Sequence, residues 1–124
     1  MCYYIAIEDL VANAMIAEMS KNGNDQKTFF TYSELERFGA YVIKILEEKK
    51  EKAVLVLSRE RTSHMLSDYA DFFEEREVNG NKGIGLKDGV NCLQLIDDFR
   101  GYLPLDVLMA FIEASDNYDF TKIA

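Results

Sequence analysis

Histidine, proline and cysteine are scarce in this 124-residue chain, which holds one, one and two of them. A structural zinc site takes four ligands in closely spaced pairs, and His64, Cys2 and Cys92 do not supply them. Nothing in the spacing makes His64 and Cys92 a base and a nucleophile. Cys2 and Cys92 lie 90 positions apart with no CxxC pair, which reads as two reduced thiols of a cytoplasmic protein. A single proline and the lack of Ser- or Gly-rich tracts leave no interdomain linker, and there is no internal repeat. The apolar runs fall far short of the ~20 residues of a transmembrane helix. The opening MCYYIAIEDL has no basic segment and reaches Glu8 and Asp9 too early for a signal peptide. The expectation is a cytoplasmic chain with no membrane partner.

Catalytic patterns are missing as well. Gly80, Gly83 and Gly85 run in the reverse order of the dinucleotide fingerprint and follow a predicted helix instead of a strand. A hairpin that needs positive φ accounts for them better. Neither Asn22–Asp25 nor Asp116–Asp119 has the spacing of a calcium loop. No two carboxylates are singled out as an acid and base across a cleft. The chain is therefore not read as an enzyme, and no cofactor is expected.

What is present is the composition of a folded domain. The chain is 48% hydrophobic with 8 Phe and 7 Tyr, enough for one domain to bury a core without a metal or disulfide staple. Residues 2 to 7 either open as a short strand or, the favoured reading, lead directly into a helix over about 7 to 21, with Ile7, Leu10, Val11, Ala14, Met15 and Met19 on one stripe and Ala12, Ile16 and Ala17 widening it. Glu8 and Asp9 sit in its first turn, where the helix dipole favours anions. A second helix starts at a capping box, Thr31-x-x-Glu34 or Ser33-x-x-Glu36. Its stripe is Leu35, Phe38, Val42 and Ile45, and Lys44, Lys49, Lys50 and Lys52 crowd its far end. Two heptads are too few for a coiled coil, so this stripe belongs to the core. Gly39 inside it points to a neighbouring backbone that passes close.

Ala53 to Leu57 reads as a strand covered on both faces. A third helix follows over about 61 to 75, with Met65, Leu66, Tyr69, Phe72 and Phe73 inward. Asn79-Gly80 and Asp88-Gly89 are turn dipeptides that place a hairpin near 76 to 87. Asn91-x-x-Gln94 starts a fourth helix with Leu93, Ile96 and Phe99 inward and Gly101 as its stop. Pro104 suits the first turn of a fifth, whose apolar face is Leu105, Leu108, Met109 and Ile112. The tail from Asp116 to Ala124 frays. The expected fold is a single α+β domain, about five helices around a small sheet.

Charge is the remaining signal. Residues 1 to 62 carry nine Lys/Arg against ten Asp/Glu, and residues 63 to 124 carry five against twelve, so almost all of the net −8 lies in the second half. The excess is densest at Asp68, Asp71, Glu74, Glu75 and Glu77, on the predicted outward side of the third helix, where only Arg76 opposes it. Such a face can recognise a basic protein surface and speed the encounter. A second candidate is Ser58, Arg59, Arg61 and Thr62, between a strand and a helix N-terminus, where free NH groups, hydroxyls and guanidinium groups suit an anion. Successive helices before a Gly-rich hairpin resemble a winged helix in outline, but a nucleic-acid domain shows a basic footprint and the sequence pI is about 4.6. A third reading is an acidic inhibitor whose carboxylates occupy a nucleic-acid-binding groove. The expectation is a non-catalytic protein-binding or regulatory module.

Overall fold

Residues 2–22, 28–56, 71–90, 92–101 and 103–120 are described by the computed structural model. Among them run β1 (Cys2–Ala6), α1 (Ile7–Asn22), β2 (Phe29–Thr31), α2 (Tyr32–Glu48), β3 (Lys52–Val56), β4 (Phe73–Val78), β5 (Asn81–Leu86), α3 (Cys92–Arg100) and α4 (Leu105–Asn117). The class is α+β as expected, with four helices among the described residues instead of five and two small sheets instead of one.

At residues 2 to 6 the structure takes the strand alternative and then leads into α1. The strand forms because β3 offers it a parallel partner with Cys2 opposite Lys52 and Ala6 opposite Val56. Ile5 and Leu55 turn towards α1 and α2, whereas Tyr4 and its partner Val54 face away at 68% and 43% exposure. β3 is thus covered on one face, not two.

α1 carries apolar residues on every side. From Leu10 to Ala17 all side chains are buried, Asn13 included. The helix packs against β1, α2, α3 and α4, so no side of it needs a polar surface.

At α2 the capping box is the Thr31 one. The Glu34 amide donates to Thr31 Oγ1 at 3.1 Å and the Thr31 amide to Glu34 Oε1 at 3.0 Å. Ser33 lies inside the helix. Leu35, Phe38, Val42 and Ile45 are buried as expected. Gly39 is needed because a Cβ there would stand 2.6 Å from the Leu55 side chain of β3. The close neighbour is a side chain, not a backbone. The helix ends in a Schellman motif: the Glu51 amide donates to Leu46 O and the Lys50 amide to Glu47 O, both at 2.9 Å. Lys50 occupies the left-handed position at φ 63, where glycine is the usual residue.

β2, β5 and β4 form an antiparallel sheet in that order, with Phe30 and Glu75 flanking Ile84. Residues 73 to 75, expected at the end of a helix, are strand. Asp71 and Phe72 keep helical backbone, and the expected helix over 61 to 70 lies outside the described residues. The hairpin spans 73 to 86 and turns at Asn79-Gly80, whose φ values of 54 and 81 fit the primed turn that such a dipeptide favours.

Two apolar faces differ from expectation. In α3 it is Leu95 with Phe99 that is buried, and Ile96 is exposed. In α4 the buried residues are Val107, Ala110, Phe111 and Ala114, while Leu105, Met109 and Ile112 are exposed. Pro104 stands at the N-cap position instead of the first turn. The tail does not fray at once, for Phe120 packs 5.0 Å from Phe30 and 5.2 Å from Phe38 between ring centroids. A second ring cluster joins the hairpin to α3, with Phe99 5.7 Å from Phe72 and 5.6 Å from Phe73.

Lys50→Gly relieves a left-handed backbone strain that exceeds the entropy cost of glycine, so urea unfolding should show a gain of about 0.5 kcal/mol. A loss would mean that the Lys50 side chain contributes more than its backbone conformation costs.

Candidate functional site

The acidic residues expected on one helix ridge lie instead on the hairpin. Asp71 is exposed in the short helical turn before it, and Glu74, Glu75 and Glu77 are exposed on β4. A strand sends alternate side chains to opposite faces, so the ridge divides. Glu75 and Glu77 share a face with Phe73, and Glu74 shares the other with Arg76. Phe73 at the start of the strand is 1% exposed and Val78 at its end is 42% exposed, so the strand starts in the core and ends outside it. Asp68 lies outside the described residues, as do Ser58, Arg59, Arg61, Thr62 and His64.

Each carboxylate of β4 has a local counterpart. The Tyr32 hydroxyl, at the start of α2, donates to Glu75 Oε2 at 2.5 Å. Glu74 lies 3.6 Å from Arg76 Nε, and Glu77 stands opposite Lys82 in the register. Surface pairs of this kind contribute little to stability. β4 is the outer strand of its sheet, with β5 on one side and no strand on the other among the described residues.

The glycines of β5 have a role that the sequence pattern does not disclose. Of Gly80, Gly83 and Gly85, only Gly80, in the turn before β5, has positive φ. Gly83 and Gly85 are spaced to make room. A Cβ on Gly83 would collide with Phe30 O and stand 2.7 Å from Phe29 Cζ, and one on Gly85 would enter the Arg76 guanidinium. The Arg76 guanidinium fills the space over Gly85, its Nη2 donating to Leu86 O at 3.4 Å and its Cζ 5.8 Å from the Phe29 ring centroid. This face of the sheet is thus covered by Arg76 and Phe29, which leaves neither Gly83 nor Gly85 open to a phosphate.

No family model, curated protein or solved structure matches the chain. Its site must be read from its own residues.

Among the described residues no group of three or more His, Cys, Asp or Glu is arranged to hold a metal ion. Cys2 is an exposed free thiol. The polar chemistry that the sequence reading missed is inside, on α1. Glu8, Asn13 and Glu18 are all buried. Asn13 Nδ2 donates to Asp9 O at 2.7 Å and Asn13 Oδ1 accepts from Arg100 Nε, at the end of α3. Arg100 Nη2 also donates to Ser115 Oγ of α4 at 3.2 Å, and that hydroxyl donates to Phe111 O at 2.8 Å. One polar chain therefore joins α1, α3 and α4. Burial lowers the pKa of Arg100, and Asp116 opposes that shift.

Glu8 and Asp9 lie in the first turn of α1, which favours anions, yet burial outweighs the dipole. Desolvation raises the pKa of Glu8 against the lowering effect of a backbone hydrogen bond. Desolvation, with the Glu8 charge beside it, pushes Asp9 up to about 7. Glu8 Oε2 is buried without a hydrogen-bond partner. Both shifts favour the protonated form.

Two measurements follow from these placements. Gly83→Ala forces the backbone of β2 aside and should cost about 2 kcal/mol or more in urea unfolding. Gly80→Ala meets only the left-handed strain, about 1 kcal/mol, since a Cβ there touches nothing within 4 Å. Equal costs would remove the packing account of the β5 glycines.

Asp9 in an unfolded chain titrates near ~3.9, so between there and about 7 the folded state holds the extra proton. Stability tied to Asp9 is full below the lower value and is lost as pH rises to the upper one, by at most about 1.4 kcal/mol per pH unit. The unfolding free energy of Asp9→Asn minus wild type should climb between pH 4 and 7 and then level. A difference that is flat across this window would show an ordinary ionised carboxylate.

Proposed function

We propose that the protein is a non-catalytic protein-binding module, whose acidic hairpin meets a basic surface on its partner. The observation that carries this reading is the exposure of Asp71, Glu74, Glu75 and Glu77 within seven residues on and beside the outer strand of a sheet. Charges so placed raise the on-rate of a positive partner and fix its orientation. They also keep the open edge of β4 from pairing with other strands, which is the bland role that a test must separate from recognition.

The strand order β2-β5-β4 supports a second reading. A short strand before a capped helix, pairing with the far strand of a later hairpin, is the sheet of a winged helix. A wing that touches DNA meets phosphates and wants cations. This hairpin sets Glu74, Glu75 and Glu77 against Arg76 and Lys82. The charge favours a protein partner on such a frame, including one whose own groove binds nucleic acid and is occupied by carboxylates in place of phosphates.

The test is the triple reversal Asp71→Lys, Glu74→Lys and Glu77→Lys, which spares Glu75 and its bond to Tyr32. Immobilised wild type should retain, at about 0.1 M salt, a partner that higher salt releases, because exposed charges are screened beyond a Debye length of about 10 Å. The reversed protein should not retain it while its thermal unfolding stays cooperative. If both capture the same proteins, the hairpin is only a solubilising edge. Salt-dependent binding of wild type to duplex DNA would favour the winged-helix reading in its nucleic-acid form.

A further inference from the structure

α4 is apolar on two opposite sides. Val107, Ala110, Phe111 and Ala114 face the core. Leu105, Met109 and Ile112, at spacings of four and three, line the other side at 71%, 48% and 37% exposure, with half-buried Leu108 between them. A surface helix normally turns a polar face outward, and a helix apolar all round belongs in an interior. Among the acids of α4, Asp106 and Glu113 run along one side of the outer stripe and Asp116 continues it at the helix end. Asp106, Glu113 and Asp116 are exposed, and the helix contains no Lys or Arg. Around them the structure brings the Tyr3 hydroxyl, 3.1 Å from Asp106, and Lys49, 3.6 Å from Glu113. Arg100 interacts electrostatically with Asp116. The rim remains acidic on balance.

We propose that this outer face of α4 docks an amphipathic helix of a protein partner, one whose apolar stripe is flanked by lysine or arginine. The stripe from Leu105 to Ile112 runs about 10 Å along the helix, which suits one helix crossing more than a broad domain face. Charge decides between occupants. A second copy pairing through the same face is isologous. An antiparallel pair centred near Met109 would set Asp106 of each copy towards Glu113 of the other, acid against acid. An anionic lipid surface meets the same repulsion. A helix with basic flanks meets attraction on the rim and apolar contact along the centre. This surface lies on a different element from the acidic hairpin and does not depend on it.

The probe is a synthetic helical peptide of about 18 residues with leucines in a helical stripe flanked by lysines, against a peptide of identical composition whose order breaks the stripe. Fluorescence anisotropy should show wild type binding the patterned peptide about tenfold more tightly than the permuted one. Leu105→Ser with Met109→Ser should erase that preference while keeping the wild-type circular dichroism and melting temperature. Met109→Lys, whose cation opposes the peptide's lysines, should erase it too. The hairpin variant Asp71→Lys, Glu74→Lys and Glu77→Lys should keep the preference, so the two surfaces fail or succeed separately. Equal affinity for both peptides, or a preference that survives the α4 substitutions, overturns the proposal. So does sedimentation showing a wild-type dimer that Met109→Lys dissociates, since a second copy would then occupy the stripe.

Discussion

Between Ile5 and Glu18 the chain buries every side chain except that of Asp9, which is half-buried, and the arrangement of the other elements follows from that. A helix with apolar residues on all sides must be enclosed, and β1, α2, α3 and α4 do the enclosing. The β1–β3 pair closes one end, with Leu55 and Leu10 meeting at the space that Gly39 leaves. The antiparallel sheet stands to one side, joined through Ile84, Phe30 and Phe73 to the rings of α2, α3 and the tail.

Enclosure has a cost, because α1 is not purely apolar. Glu8, Asn13 and Glu18 enter the interior with it, and a buried polar group is destabilising unless its hydrogen bonds are replaced. Asn13 meets that condition through Arg100 and the Asp9 carbonyl. The network also ties the three helices at one level along α1, since an asparagine with both ends of its amide engaged tolerates little sliding. Glu8, with one oxygen unpartnered, meets it by keeping its proton more readily than a solvated carboxylate. The two sites show different answers to the same desolvation.

Local signals were legible in the sequence and tertiary ones were not. The Thr31 capping box, the core stripe of α2 and the Asn79-Gly80 turn are short-range features, and each stands where its residues place it. β1 and β2 are short strands whose partners lie about fifty residues away, beyond any window of pattern. The face of α4 was inverted because Leu105, Met109 and Ile112 fit helical spacing as well as Val107, Ala110 and Phe111 do. Periodicity cannot choose between two apolar stripes. At the acidic segment the pair Phe72-Phe73 continued a helical pattern into what is strand, so Glu74, Glu75 and Glu77 were found in sequence but placed on a helix face instead of a strand. Of the buried carboxylates only the position was legible. Their environment is set by helices that arrive from elsewhere.

The parallel pairing of β1 with β3 also bears on how the molecule assembles. Cys2 meets Lys52, Phe29 meets Gly85 and Phe30 meets Phe120, so long loops must close before the core exists. Closure cost grows only with the logarithm of loop length, and the α2 turn structure and the β4–β5 hairpin can form without it. These local pieces are natural early structure, and the distant contacts come together late and as a group. Until they do, α1 shows apolar residues to solvent on every side. The same helix that organises the folded state is then the part of the chain most exposed to aggregation during folding, and its protection rests on how fast its neighbours close over it.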